Sequence, residues 1–314
     1  MTAFDEATAV RRRSDGVYDA LPDQRFALVT PGGKVPPAVN GGALIATVLR
    51  AVLDGSPHPH PVATTAHFLR VASLEPAEVR VRWLRQGKTA ATARAALIQH
   101  GQELLDMTVT TGTVPDATPP GTAHGTGPDG ASADGGGAGP VQPDELTWTG
   151  PPPDFPAIED CVDLGPWSGS VSLDGAQGYA MHVSVLLDPA VTGWRAREPA
   201  GVPEMRGYFG LREDRDPDAY LLAMAVDGLP PVVFGLGATG WAPTVELTWY
   251  MRAVPRPGPL RVAARSRHVG GGWFDEEAEV WDAAGCLVAQ SRQLARVGRG
   301  PVRQRANGQR PPAG

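Results

Sequence analysis

The 314-residue sequence predicts an α+β fold of two antiparallel sheets, each wrapped around a central helix. Three observations carry this reading. An apolar helix followed by three long strand-like stretches occurs twice. A stretch rich in glycine and proline, Pro115 to Pro140, separates the two occurrences and holds no large apolar residue. The segments "AHFLR" and "TWYMR" hold matching places in the two parts.

The first part opens with short strand-like pieces, "GVYDALP" and "RFALVT". A helix over Gly41–Leu53 follows, and then "PVATTAHFLRVA" and "AEVRVRWLRQGKTAATARAALIQHGQELLDMTVTTG". Val79, Val81 and Trp83 alternate with Arg80 and Arg82, the period of a half-buried strand. Gln86-Gly87 and His100-Gly101 stand where hairpin turns are expected. In the second part "GYAMHVSVLLDP" and "VPEMRGYFGLRED" read as strands. The helix "DPDAYLLAMAVDG" comes next, with Asp216 as N-cap, Pro217 at its first position, and Gly228 and Pro230 at its exit. "PTVELTWYMRAV" and the alternating run from Pro259 to Val297 complete the repeat. The expected divisions are residues 1–112, a flexible linker at 113–144, residues 145–298, and a disordered tail at 299–314.

Composition excludes several classes. A formal net charge of −6 does not fit a nucleic-acid binder, which usually carries a basic domain. Two cysteines, Cys161 and Cys286, give neither a disulfide framework nor a metal set, and fit a reducing compartment. The N-terminal arginines are not followed by the apolar core of a secretory signal, and no apolar run approaches the length of a membrane helix. A cytoplasmic location with no membrane partner is the expectation. His58 and His60 look like a metal pair but have no third ligand nearby, so no metal site is expected.

Six segments together resemble the acyl-CoA thioesterase II family: "NGGALIATVL", "TAHFLRVA", "LRQGKTAATARAALIQHGQ", "MAVDGLPP", "APTVELTWYMR" and "GCLVAQSRQ". They spread over roughly residues 15–112 and 145–298, and their order and spacing carry the likeness more than any one of them. The resemblance implies a double hotdog, with one hotdog in each part. It also implies hydrolysis of an acyl-CoA or acyl-carrier thioester, without a cofactor. Hotdog sheets often associate edge to edge, so a homo-oligomer is expected.

Thioester hydrolysis needs a positioned water, a base for its proton and donors for the developing oxyanion. The two parts are not equivalent in supplying these. Asn40-Gly41-Gly42 at the mouth of the first helix reads either as a capped helix start with glycines for close packing, or as an oxyanion site built from backbone N–H groups. The second helix opens on Asp216-Pro217-Asp218, where proline lacks an N–H and the carboxylates repel an oxyanion. The polar groups show the reverse asymmetry. The second part has Asp227, Thr244 and Gln293, while the first has Arg50, Val62 and Val109 in approximately matching places.

Taken singly, Asp227 reads equally well as a turn residue and Thr244 as an ordinary strand residue. An amide at Gln293 is less expected beside Leu287, Ala289 and Ser291. The resemblance implies that Asp227 is the base, that Thr244 and Gln293 orient the water, and that the Gly42 N–H polarises the carbonyl; the helix-mouth reading adds Gly41 to this oxyanion site. One site per chain follows from the asymmetry. Glu246, two residues beyond Thr244, is expected on the same face and is the backup base. Two rival functions remain: a hydratase or dehydratase of the same fold, which wants a histidine paired with a carboxylate, and a non-catalytic acyl-thioester binder.

Overall fold

A computed structural model describes residues 1–28, 38–118, 148–165 and 178–298. The expected linker from residue 119 onward and the expected tail lie outside the described residues. A short helix, α1 (Ala3–Ala7), leads into strands β1 (Val10–Ser14), β2 (Val17–Ala20), β3 (Ala27–Leu28) and β4 (Ala38–Val39). The helix α2 (Gly41–Asp54) follows, then β5 (His60–Phe68), β6 (Ala77–Gln86), β7 (Ala91–Gln99) and β8 (Gln102–Gly112). The second half holds β9 (Val162–Asp163), α3 (Tyr179–His182), β10 (Val183–Leu187), β11 (Glu204–Leu211) and α4 (Ala219–Ala225). It ends with β12 (Thr244–Met251), β13 (Leu260–Arg265), β14 (Val269–Gly270), β15 (Trp273–Trp281) and β16 (Leu287–Arg296).

The strands of the two halves run on into one 14-stranded sheet, joined where β5 pairs antiparallel with β12. Thr65 and Thr248 face each other at this seam, with their hydroxyl oxygens 2.9 Å apart. Helix α2 packs against β5, β6, β7 and β8 and also against α4. Its sequence explains the placement: Ile45, Ala46, Val48, Leu49, Ala51 and Val52 are fully buried, a side-chain set apolar on nearly every face. The β7–β8 hairpin turns on His100 and Gly101, both with positive φ (51° and 73°), the backbone a two-residue turn of this hand requires.

Three local expectations are corrected. "GYAMH" is not the start of a strand: Tyr179–His182 forms one helical turn, and β10 begins at Val183. In "RFALVT" Arg25 and Phe26 belong to a 3-10 turn capped by Asp23, and the strand begins only at Ala27, with Val29 and Thr30 outside the described residues. The second helix begins at Ala219, because Asp218 and not Asp216 caps it, accepting from the N–H groups of Tyr220 and Leu221. The start of the expected linker is tied down by main-chain bonds. Ala117 N–H donates to Val254 O (3.0 Å), and Val254 N–H donates to Pro115 O (2.9 Å). A reading from apolar content alone does not register such bonds.

Candidate active site

The mouth of α2 and the polar end of α4 meet where the two helices pack. Asn40 caps α2, its side chain accepting from Ala43 N–H (3.1 Å) and its carbonyl from Leu44 N–H (3.1 Å). The N–H groups of Gly41 and Gly42 have no acceptor among the described residues. The two glycines do different work. A Cβ on Gly41 would stand 2.8 Å from Asp227 Oδ2 and 3.0 Å from the Phe68 ring. Gly41 therefore lies directly against the carboxylate and against an inward side chain of β5. A Cβ on Gly42 would stand 2.6 Å from Met224 Cα and 3.0 Å from Ala223 O. Gly42 is the crossing point of α2 and α4, so the packing reading of this glycine is also correct.

Asp227 is held by the tightened last turn of α4, where its N–H donates to Met224 O (3.3 Å) and Gly228 N–H donates to Ala225 O (3.1 Å). Thr244 Oγ1 lies 3.4 Å from Asp227 Oδ1 and donates to Gln293 Oε1 at 2.8 Å. Thr244 and Gln293 thus come together beside Asp227. Burial pushes the Asp227 carboxyl up to about 7, against a smaller opposing effect of the Thr244 hydroxyl. Tyr179 faces it from α3, and its own hydroxyl is pushed up by burial and by the Asp227 charge.

Glu246 is not brought to this cluster. β12 bulges at Val245: Thr244 pairs with Ala295, yet Glu246 pairs with the next residue, Leu294. The extra residue resets the alternation. Thr244 falls inward with buried Leu247 and Trp249, while Glu246 falls outward beside exposed Leu294. There Glu246 accepts from Thr248 Oγ1 (2.7 Å). Its expected sharing of a face with Thr244 is therefore corrected, and with it the geometric basis for a backup base.

A group not singled out from the sequence completes the cluster. Glu276 on β15 is 4% exposed and accepts from Gln293 Nε2 (2.8 Å) and from Val232 N–H (3.0 Å). Burial lifts its carboxyl to about 7 as well. The charge on Asp227 adds to the rise, and the two bonds it accepts oppose it. The signal was present in "WFDEEAEVW", where period-2 counting puts Glu276 in phase with Phe274, Ala278 and Val280.

The matching places in the first half are apolar. Thr244 lies four residues before Thr248, and Pro61 lies four before Thr65; both strands bulge at this point. Pro61, not Val62, is therefore the counterpart of Thr244. Gln293 pairs with Leu247 as Val109 pairs with Thr64, so Val109 is its counterpart. Counted from the helix caps, Asp227 matches buried Leu49 rather than Arg50.

Profiles of acyl-CoA thioesterase domains match both halves, the N-terminal domain over residues 31–113 and the C-terminal domain over residues 158–297. The chain belongs to the acyl-CoA thioesterase II family. An uncharacterized protein of Mycobacterium tuberculosis is 31% identical over 271 residues, covering 84% of this chain and 87% of its own. A crystal structure of a candidate thioesterase II from Thermobifida fusca is 36% identical, with a TM-score of 0.76, and the match covers 95% of this chain and 98% of that one. A hot dog fold protein of unknown function from Alicyclobacillus acidocaldarius matches at 20% identity and a TM-score of 0.71, over 96% of this chain and all of its own, a likeness of fold alone. The fold is thus the hotdog, and the family fits acyl-thioester hydrolysis in general. No helix among the described residues is long and apolar enough to cross a membrane.

Proposed function

We propose that this thioesterase II relative hydrolyses acyl-CoA thioesters by direct attack of a water that Asp227 deprotonates. The observation that carries the reading is the contact between Gly41, at the mouth of α2, and the Asp227 carboxylate at the end of α4. It sets a proton acceptor beside two N–H groups with no acceptor among the described residues, at the positive end of a 14-residue helix. Thr244 and Gln293 flank the acceptor and orient the water.

The reaction runs in two steps. Asp227 takes one proton as the water oxygen bonds to the thioester carbon. The carbonyl oxygen becomes an oxyanion and is held by the Gly41 and Gly42 N–H groups. The intermediate then collapses, the carbon–sulfur bond breaks, and the departing thiolate recovers the proton from Asp227. Products are the free acid and CoA, with no covalent acyl-enzyme. A carboxyl lifted to about 7 is basic enough to accept this proton and acidic enough to return it near neutral pH.

The test is thiol release from acyl-CoAs of several chain lengths by the purified protein. Saturable release that is lost in Asp227→Asn supports the reading. Binding of acyl-CoA without thiol release, or a change in enoyl absorbance in its place, refutes it.

A further inference from the structure

We propose that Glu276 is a positioning residue that sets the orientation of the Gln293 amide, and through it the direction in which the Thr244 hydroxyl donates its proton. This rests on the hydrolytic reading above, for which Asp227 is the base.

One line of hydrogen bonds links Val232, Glu276, Gln293 and Thr244 beside Asp227, and its protons can be counted. Val232 N–H and Gln293 Nε2 both end on Glu276, which in its ionised form, the form that prevails above about pH 7, only accepts. Glu276 and Gln293 are 4% and 6% exposed, so neither readily exchanges a partner for bulk water. With its NH2 turned toward Glu276, Gln293 presents its oxygen to Thr244. Thr244 has one hydroxyl proton and donates it to that oxygen at 2.8 Å, while Asp227 Oδ1 stands at 3.4 Å. At 3.4 Å the hydroxyl acts only weakly on Asp227, whose lone pairs stay open for the proton of a water.

If the amide turned over, its NH2 would donate to Thr244, and Thr244 would donate to Asp227. A carboxylate that receives such a bond is a weaker base. The groups facing this chain are Asp227 at the end of α4, Val232 N–H in the turn after it, and Tyr179 on α3, whose hydroxyl lies 3.5 Å from Gly228 O.

Glu276→Gln tests this because it keeps the shape and changes the proton count. The new amide has one acceptor, which buried Val232 N–H requires, so its NH2 faces Gln293 and turns that amide over. The readout is the titration of the Asp227 carboxyl, followed by carbon NMR of labelled aspartate and assigned by its loss in Asp227→Asn. In Glu276→Gln the titration should fall by about one to two pH units, the size of a hydrogen bond to a charged group. Part of that fall comes from removing the Glu276 charge, so Thr244→Val separates the two contributions. Thr244→Val should move the titration little in the wild type, and should raise it clearly in the Glu276→Gln background.

A purely structural Glu276 would lower the melting temperature and leave this pattern absent. The proposal is overturned if Glu276→Gln leaves the Asp227 titration in place, or if Thr244→Val does not raise it in that background. A rise of one to two units from Thr244→Val in the wild type also overturns it, and that arm needs no Glu276 variant to fold. None of these measurements requires turnover. A wild type that releases no thiol therefore sinks the hydrolytic reading alone, whereas an unmoved titration sinks the role of Glu276.

Discussion

Replacing Asp227 by asparagine should slow the protein and stabilise it at the same time. The folded carboxyl ionises at about 7, compared with 3.8 without the fold, because burial disfavours its charge. Between those two values the folded chain binds the proton more tightly than the unfolded chain does. Stability therefore falls as pH rises from about 4 to about 7, and stays lowered above that. A shift of about three units at 1.36 kcal/mol each sets the cost at a few kcal/mol in alkaline solution. The asparagine amide never ionises, so the variant escapes this cost. Its melting temperature should exceed that of the wild type by several degrees at pH 8.5, and the gap should close toward pH 4. Turnover should fall by about 100- to 10,000-fold, the usual value of general-base assistance. Two assays suffice: thermal unfolding at pH 4.5, 6.5 and 8.5, and CoA release at pH 8. A variant less stable than the wild type by the same margin at every pH would refute the desolvation argument. Near-normal turnover would remove Asp227 from the chemistry.

The glycines should separate stability from rate. Gly42→Ala sets a Cβ 2.6 Å from a backbone atom of α4, so the helices must part at a cost of about 1–3 kcal/mol, visible as a lower denaturation midpoint. Gly41→Ala presses mainly on the movable Asp227 carboxylate and Phe68 ring, so turnover should drop at least tenfold with a smaller loss of stability. Glu246→Gln, altering an outward side chain, should leave turnover within about twofold of wild type in the same assay. Asp5→Asn removes the charge that Arg50 and Arg215 share, and should cost about 1–3 kcal/mol in chemical denaturation without changing kcat.

Much of the frame was legible because it rests on periodicity. The apolar run after Asn40 could only be a buried helix, and the alternation around Gln293 assigned that amide to the inner face. What escaped the sequence were features with no periodic signature. One extra residue at Val245 reverses the face of everything before it, and no local propensity announces a bulge. Glu276 was readable in phase with Phe274 and Ala278, yet a glutamate in "DEEAE" looks like surface charge until the strand is set against Val232. The helix α1 depends on a capping box between Thr2 and Asp5, together with Glu213, which accepts from Ala3 and Phe4 N–H from a point distant in the chain. Such long-range partners are chosen by the fold rather than by neighbours in sequence.

The asymmetry of the two helix mouths follows from where their carboxylates are committed. At α2 the cap is the neutral side chain of Asn40, which satisfies Ala43 and leaves the first two N–H groups without an acceptor among the described residues, with Gly41 set against Asp227. At α4 the cap is the charged Asp218, whose one oxygen already accepts from both Tyr220 and Leu221. Arg215 grips that carboxylate at 2.7 Å and reaches Asp5 of α1, which Arg50 grips from α2 at 2.7 Å. Burial works to raise the Asp5 carboxyl, but the hydrogen bonds from Arg215, Thr2 and Arg50 hold it well below the usual carboxylate range. Arg50 also lies over the Tyr220 ring and Arg215 over Phe4. An oxyanion arriving at α4 would meet a carboxylate already holding its N–H donors, and no base where Pro61, Val109 and Leu49 stand. The same helix pair therefore presents open donors at one end and a closed ion network at the other. The choice between them was made by a neutral cap with two glycines in one half and an aspartate cap in the other.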